Sequence, residues 1–194
     1  HVFDTKDESA GAPVTIPSFI ETEWQETIPL TDDAATFFTT FHERIKGSRV
    51  GVVQLYPVVS QEGVERLATT QEFFDVLSSS LSEAALRALD TTLMIGSVTT
   101  STNEPYIILR TGDFDTVFSA FLMWEALMPR DLAPVFGEIN SANVGFSDTV
   151  WNNRSMRMLK NAEGEPLLLY SFVNQNTIVI TRSLPAFEKI LEKF

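Results

Sequence analysis

Cysteine is absent from the chain, which removes disulfide staples, thiolate metal sites and cysteine nucleophiles together. Histidine is nearly absent: His1 and His42 are the two copies, so a histidine metal cluster or a Ser-His-Asp triad would rest on His42 alone. His42 itself is expected at the solvated C-terminal end of a helix. Glycine is sparse and scattered, nine in 194 residues, and neither a phosphate-cradling loop nor a dinucleotide fingerprint can be drawn from it. No cofactor and no metal is expected. Basic residues are outnumbered, fourteen Lys and Arg against twenty-six Asp and Glu for a net charge of −12, a balance that repels phosphate backbones and anionic lipid headgroups. Nucleic acid is therefore not an expected partner, and solubility is the ordinary reason for such a charge. No stretch reaches the roughly eighteen apolar residues of a spanning helix, and no secretory signal is present. The sequence starts at His1 without an initiator Met, which reads as a processed or excised product that has lost an anchoring segment.

What is present is core material. Hydrophobic residues make up 44% of the chain and fifteen are phenylalanine, enough for one core. Residues 1–15 are small and polar with Gly11 and Pro13 and read as a flexible linker. Residues 16–194 read as a single α+β domain, with two lobes, 16–137 and 138–194, as the alternative. Ile16 to Leu30 carries isolated apolar residues between prolines, as an extended segment clamped onto a surface by Trp24 does. A helix is expected from an N-cap at Thr31 to Lys46, with Phe37, Phe38, Phe41 and Ile45 on one face.

A diverged pattern then recurs three times: two strands joined by a polar loop run into a short amphipathic helix through a Thr/Ser/Gly junction. The first copy pairs Val50–Tyr56 with Val64–Ala68 and enters its helix through a Thr69/Glu72 capping box. The second pairs Leu93–Val98 with Tyr106–Arg110 and enters through Thr111, Gly112 and Asp113. The third pairs Leu167–Val173 with Thr177–Thr181 and enters through Ser183, with Pro185 in the first turn. Strands at Phe146–Trp151 and Ser155–Lys160, joined at Asn152-Asn153, precede that copy, so the C-terminal third reads as a four-stranded meander. The fold class is α+β, a mainly antiparallel sheet built from hairpin-then-helix units with the helices on one face.

The helix opening at Asp113 is apolar on nearly every side, which marks it as the buried spine of the domain. Glu125 is its exception, on the row Phe114, Phe118, Phe121, Glu125. A carboxylate leaving water there needs a partner, and Arg110, Arg154 and Arg157 all fall on or beside strands. A general acid tuned by burial is the competing reading, with no second carboxylate at fixed spacing to support it. Asp113 and Asp115 form an Asp-x-Asp pair that lacks the rest of a calcium loop and suits helix capping better. Ser78, Ser79 and Ser80 sit between two helices with no nucleophile elbow, as linker and cap.

Three stretches carry a resemblance: NEPYIILRTGDFDTVFSAFLMWEALMPRDLAPVFG, FSDTVWNNRSMRMLK and LLLYSFVNQNTIVITRS. The chain resembles uncharacterised single-pass envelope proteins of ultrasmall candidate-phylum bacteria, over about Ile16 to the C-terminus. In those proteins one transmembrane helix precedes a Pro-rich linker and an outer domain. The resemblance implies an extracytoplasmic domain anchored in the cell envelope and carries no activity.

The first functional expectation is a non-catalytic module that engages an envelope or surface protein, with Trp24 and Trp151 as exposed contact aromatics. The alternative is a small-ligand-binding or sensory domain, its pocket between the sheet and the Trp124 helix, with Glu125 and an arginine such as Arg157 fixing orientation. A carboxylate-based hydrolase is the third, and requires Glu125 beside Asp113, Asp131 or Asp148 in an open cleft.

Overall fold

A computed structural model of the chain describes residues 15–141 and 144–194. All of the expected linker except Thr15 lies outside the described residues. In chain order the elements are β1 (Trp24–Pro29), α1 (Ala34–Lys46), β2 (Gly51–Gln61), β3 (Val64–Leu67), α2 (Thr70–Val76), α3 (Glu83–Ala88), β4 (Leu89–Thr99) and β5 (Asn103–Thr111). There follow α4 (Phe114–Trp124), α5 (Met128–Asp131), α6 (Ala133–Phe136), β6 (Phe146–Trp151), β7 (Arg154–Lys160), β8 (Pro166–Asn174), β9 (Thr177–Thr181) and α7 (Leu184–Leu191).

The three hairpin-then-helix units are β2–β3–α2, β4–β5–α4 and β8–β9–α7, and local chemistry forms each junction. Thr69 and Glu72 make the reciprocal capping box, the Asp113 carboxylate accepts the Thr116 N–H, and the Ser183 hydroxyl accepts the Ala186 N–H with Pro185 in the first turn. Each satisfies a backbone donor that the first helical turn leaves without a partner. The turns of two hairpins, Glu62-Gly63 and Asn152-Asn153, have φ of 53°, 80°, 44° and 61°, the left-handed pair whose twist matches the flanking strands.

Among the described residues nine strands form one sheet in the order β1-β2-β4-β5-β9-β8-β7-β6, with β3 paired to β2. The meander β6-β7-β8-β9 is present as expected, and β1 lies parallel to β2 at one edge. The pairing of β5 with β9, from Tyr106↔Thr181 to Arg110↔Thr177, makes 16–137 and 138–194 parts of one continuous sheet.

The helices do not all share a face. α1 to α6 cover one side, with Phe37, Phe73, Phe121 and Met128 packed on Leu55, Ile95 and Ile107. On the other side α7 packs Phe187 and Ile190 on Met94, Tyr106, Ile108 and Val179, and Ile20 of the N-terminal strap joins them. The reason lies in the central strands: Tyr106 to Leu109 are all buried, so successive residues point apolar groups to both faces and both must be covered. Gln54 donates to the Pro17 carbonyl at 2.8 Å and the Glu23 carboxylate accepts the Val52 N–H at 2.6 Å, which hold the strap against β2. Gly96 is required by close approach: a Cβ there would stand 1.8 Å from the Val53 carbonyl oxygen, and the Tyr106 phenol crosses the space to donate to that oxygen at 2.9 Å.

Two helices depart from expectation. α1 is capped by Asp33, which accepts from Ala35 N and Thr36 Oγ1, while Thr31 donates to the Asp33 carbonyl; the carboxylate two residues on is the better acceptor. α4 is no buried spine. Val117, Phe121 and Trp124 are buried, whereas Met123 is 80% exposed, and the helix stops at Trp124, with Glu125 as its C-cap, before the short turns α5 and α6.

Candidate functional site

One rung of the sheet supplies the polar part of the site. Asp148 on β6 stands opposite Arg157 on β7, and Arg157 stands opposite Tyr170 on β8. α4 lays its C-cap over that rung. The Arg157 guanidinium donates Nε to Glu125 Oε1 and Nη2 to Oε2, each at 2.7 Å, and the Tyr170 phenol donates to Oε1 at 2.8 Å. Arg157 Nη1 lies 3.0 Å from the Asp148 carboxylate. The arginine is therefore bidentate to one acid and shared with a second, the geometry in which charge-assisted hydrogen bonds are strongest. The hydrogen bond to Glu125 holds the Arg157 guanidinium above its ordinary value. Burial first, then the bond to the Glu125 carboxylate, push the Tyr170 phenol well above its own.

Of the three arginines weighed as partners for Glu125, Arg157 is the one that meets it. Arg110 points to the opposite face and lies 4.3 Å from the Phe19 ring centroid, and Arg154 donates to the Val173 carbonyl. Of the carboxylates that a hydrolase would use, Asp113 caps α4 and Asp131 is closed off, 4% exposed. Asp131 accepts from the Trp124 indole at 2.8 Å and Ser80 N at 2.6 Å, and from Arg130. Burial alone would raise the Asp131 pKa, but these donors hold it below the usual carboxylate range. Asp148 shares a cation with Glu125, and the three hydrogen bonds that Glu125 accepts tie the end of α4 to β7 and β8. Among the described residues no group of three or more Asp, Glu, His or Cys is arranged to hold a metal.

Beside this ion pair an open groove of about 380 Å³ runs between α4 and the β7–β8 strands, lined by Phe114, Phe118, Phe172 and Tyr170 with Arg157 and Asp148 at its polar end. Phe114 and Phe118, one turn apart on α4, stack with centroids 5.4 Å apart, and Phe172 meets both edge-on at 4.9 and 5.6 Å. The helical row that drew attention to Glu125 is thus also the wall of the groove. Tyr170 and Phe172 complete it because alternate residues of β8 face the same side. Leu122 and Met123 at the end of α4, and Leu127 in the turn after it, are 39%, 80% and 40% exposed.

The two tryptophans do not join this site. Trp24 lies on β1 at one sheet edge, half-buried against the larger core. Trp151 lies on β6 at the other edge, half-buried against the smaller core, and donates its indole N–H to Glu188 at 3.2 Å. Both rings are half-buried rather than fully exposed. His42 also departs from a free solvated position, its Nε2 lying 2.8 Å from the Pro134 carbonyl oxygen. No helix among the described residues is long and apolar enough to cross a membrane. No protein-family model, curated protein or solved structure matches the chain.

Proposed function

We propose that the chain is a non-catalytic recognition domain that engages a protein or surface component through the outer side of α4, and that it does so outside the cytoplasmic membrane, held in the envelope by a segment not in this sequence. The observation that carries the recognition reading is the exposure of Leu122 and Met123 at the end of α4 and of Leu127 in the turn after it, on the helix that also walls a groove lined by phenylalanines. Apolar surface gathered in one place on an otherwise acidic molecule is the usual mark of an interface, and methionine adapts to varied partners. Glu125 and Arg157 serve it by fixing the end of α4 to β7. The location rests on the resemblance of residues 103–137, 146–160 and 167–183 to envelope proteins.

The test compares surface variants in capture from native envelopes. Met123→Glu and Leu127→Asp should abolish retention of a specific partner, while Val64→Glu, at a site 69% exposed on β3, should leave it bound. Equal retention by all three would overturn the reading. A second reading, small-ligand binding, is favoured by the groove itself, whose roughly 380 Å³ falls within the size range of small-molecule sites. It predicts a rise in melting temperature with an aromatic compound that Phe118→Ala removes.

A further inference from the structure

At the strand ends opposite the aromatic groove, a cavity of about 670 Å³ opens between the last turn of α1, the β4–β5 turn, the end of α6 and the β9–α7 junction. His42, Lys46 and Arg182 line it, and Glu104 is the one carboxylate among its described lining residues. In a chain with twenty-six acids and fourteen Lys and Arg, that local balance is inverted. Of the thirteen described lysines and arginines, seven lie within ion-pair distance of a carboxylate, and Lys46 and Arg182 are among the six that do not.

The donors are also held in place. Arg182 Nη1 donates to the Phe136 carbonyl at 2.6 Å, which fixes the guanidinium on the cavity wall and leaves its remaining N–H groups without an acceptor among the described residues. The His42 ring is fixed by the Pro134 carbonyl. Asn103 accepts the Thr99 hydroxyl on its carbonyl oxygen at 3.0 Å, which leaves its amide N–H groups to donate.

We infer that this cavity binds a small organic anion, a phosphate or carboxylate carried on a polar body of metabolite size. A planar guanidinium with free N–H groups matches either oxyanion, the lysine adds a second positive charge, and the volume lies within the range of small-ligand sites. The site is separate from the α4 face and does not depend on the recognition reading.

Isothermal titration calorimetry of the whole chain with pyrophosphate and with citrate, at fixed ionic strength, tests it. At least one probe should bind with Kd below about 1 mM, and the tighter of the two identifies the oxyanion. Lys46→Gln and Arg182→Gln should each weaken that probe by at least about fivefold, and Glu104→Gln should tighten it. Lys46 is exposed and unpaired, so its variant should melt as the wild type does even where Arg182→Gln does not. Kd values above that limit for both probes, or a loss on Lys46→Gln smaller than that factor, would overturn the inference.

Discussion

Two ends treat charge in opposite ways: the C-terminal end of α4 and the end of the sheet where β5 and β8 begin. Where α4 ends over the middle of β7 and β8, Arg157 is divided between Glu125 and Asp148, and the phenol of Tyr170 donates to Glu125 as well. Where β5 and β8 begin, Arg182, Lys46 and His42 face a shared cavity with Glu104 as their one acidic counterpart. A charge that is closed in must be matched or the fold is weakened, whereas a charge at an open cavity can stay unmatched because water or a ligand solvates it. The first end therefore reports on stability and the second on binding. Substitutions that remove cations from the two ends should separate these roles.

The largest effect is expected at Arg157. Its side chain is 19% exposed and that of Glu125 13%, so Arg157→Leu leaves the Glu125 carboxylate half-closed in without its cation, while Asp148, 92% exposed, stays in water. The cost should be about 3 kcal/mol, read from a denaturant midpoint. Equal stability of Arg157→Leu and wild type would mean that water already reaches the pair, and the contrast between the ends would fail.

A pair on neither end calibrates the scale. Arg66 and Glu72 are bidentate, but their side chains are 44% and 32% exposed. The Arg66 hydrogen bond, opposed by burial and assisted by the Thr69 cap, lowers the Glu72 pKa from 4.5 to about 2. Because the folded value lies below the unfolded one, the contribution is complete above pH 4.5 and fades as pH falls toward about 2. Glu72→Gln should cost about 1 kcal/mol at neutral pH, since solvent screens the pair. Wild type and variant should converge through that acid window, and curves that stay parallel would show that Glu72 acts through packing.

How much of this was legible from the sequence depends on the distance over which each cause acts. Thr69 with Glu72, Asn152-Asn153, and Ser183 with Pro185 announce caps and turns within a few residues, and all three junctions form as their local chemistry requires. The pairing of β5 with β9 is chosen by the whole fold, and no local signal in either strand names its neighbour. Glu125 stood out because a charge on an apolar helical row needs an explanation. Its arginine could be narrowed to three but not to one, because Arg157 wins by lying opposite Tyr170 on the sheet rung. The degree of exposure of Trp24 and Trp151 was not legible, because residue type alone does not set it, and both rings are half-buried. The basic cavity gave no sequence signal at all: His42 and Lys46, the 102–104 turn and Arg182 come from separate stretches of chain.

The smallest effect on folding is expected at Lys46, and it completes the contrast. Lys46 sits in the last turn of α1, where a cation favours the negative end of the helix dipole by a few tenths of a kcal/mol. Removing its charge forfeits that term but relieves repulsion from Arg182 across the cavity, so the two changes oppose each other. Lys46→Gln should leave stability within about 0.5 kcal/mol of wild type. The discriminating measurement is the same denaturant midpoint with citrate or pyrophosphate present. The anion should raise the wild-type midpoint more than that of the variant, because ligand that binds the folded state alone stabilises it in proportion to its affinity. A variant that loses stability without ligand would place Lys46 with the structural cations, and the two ends would no longer differ in kind.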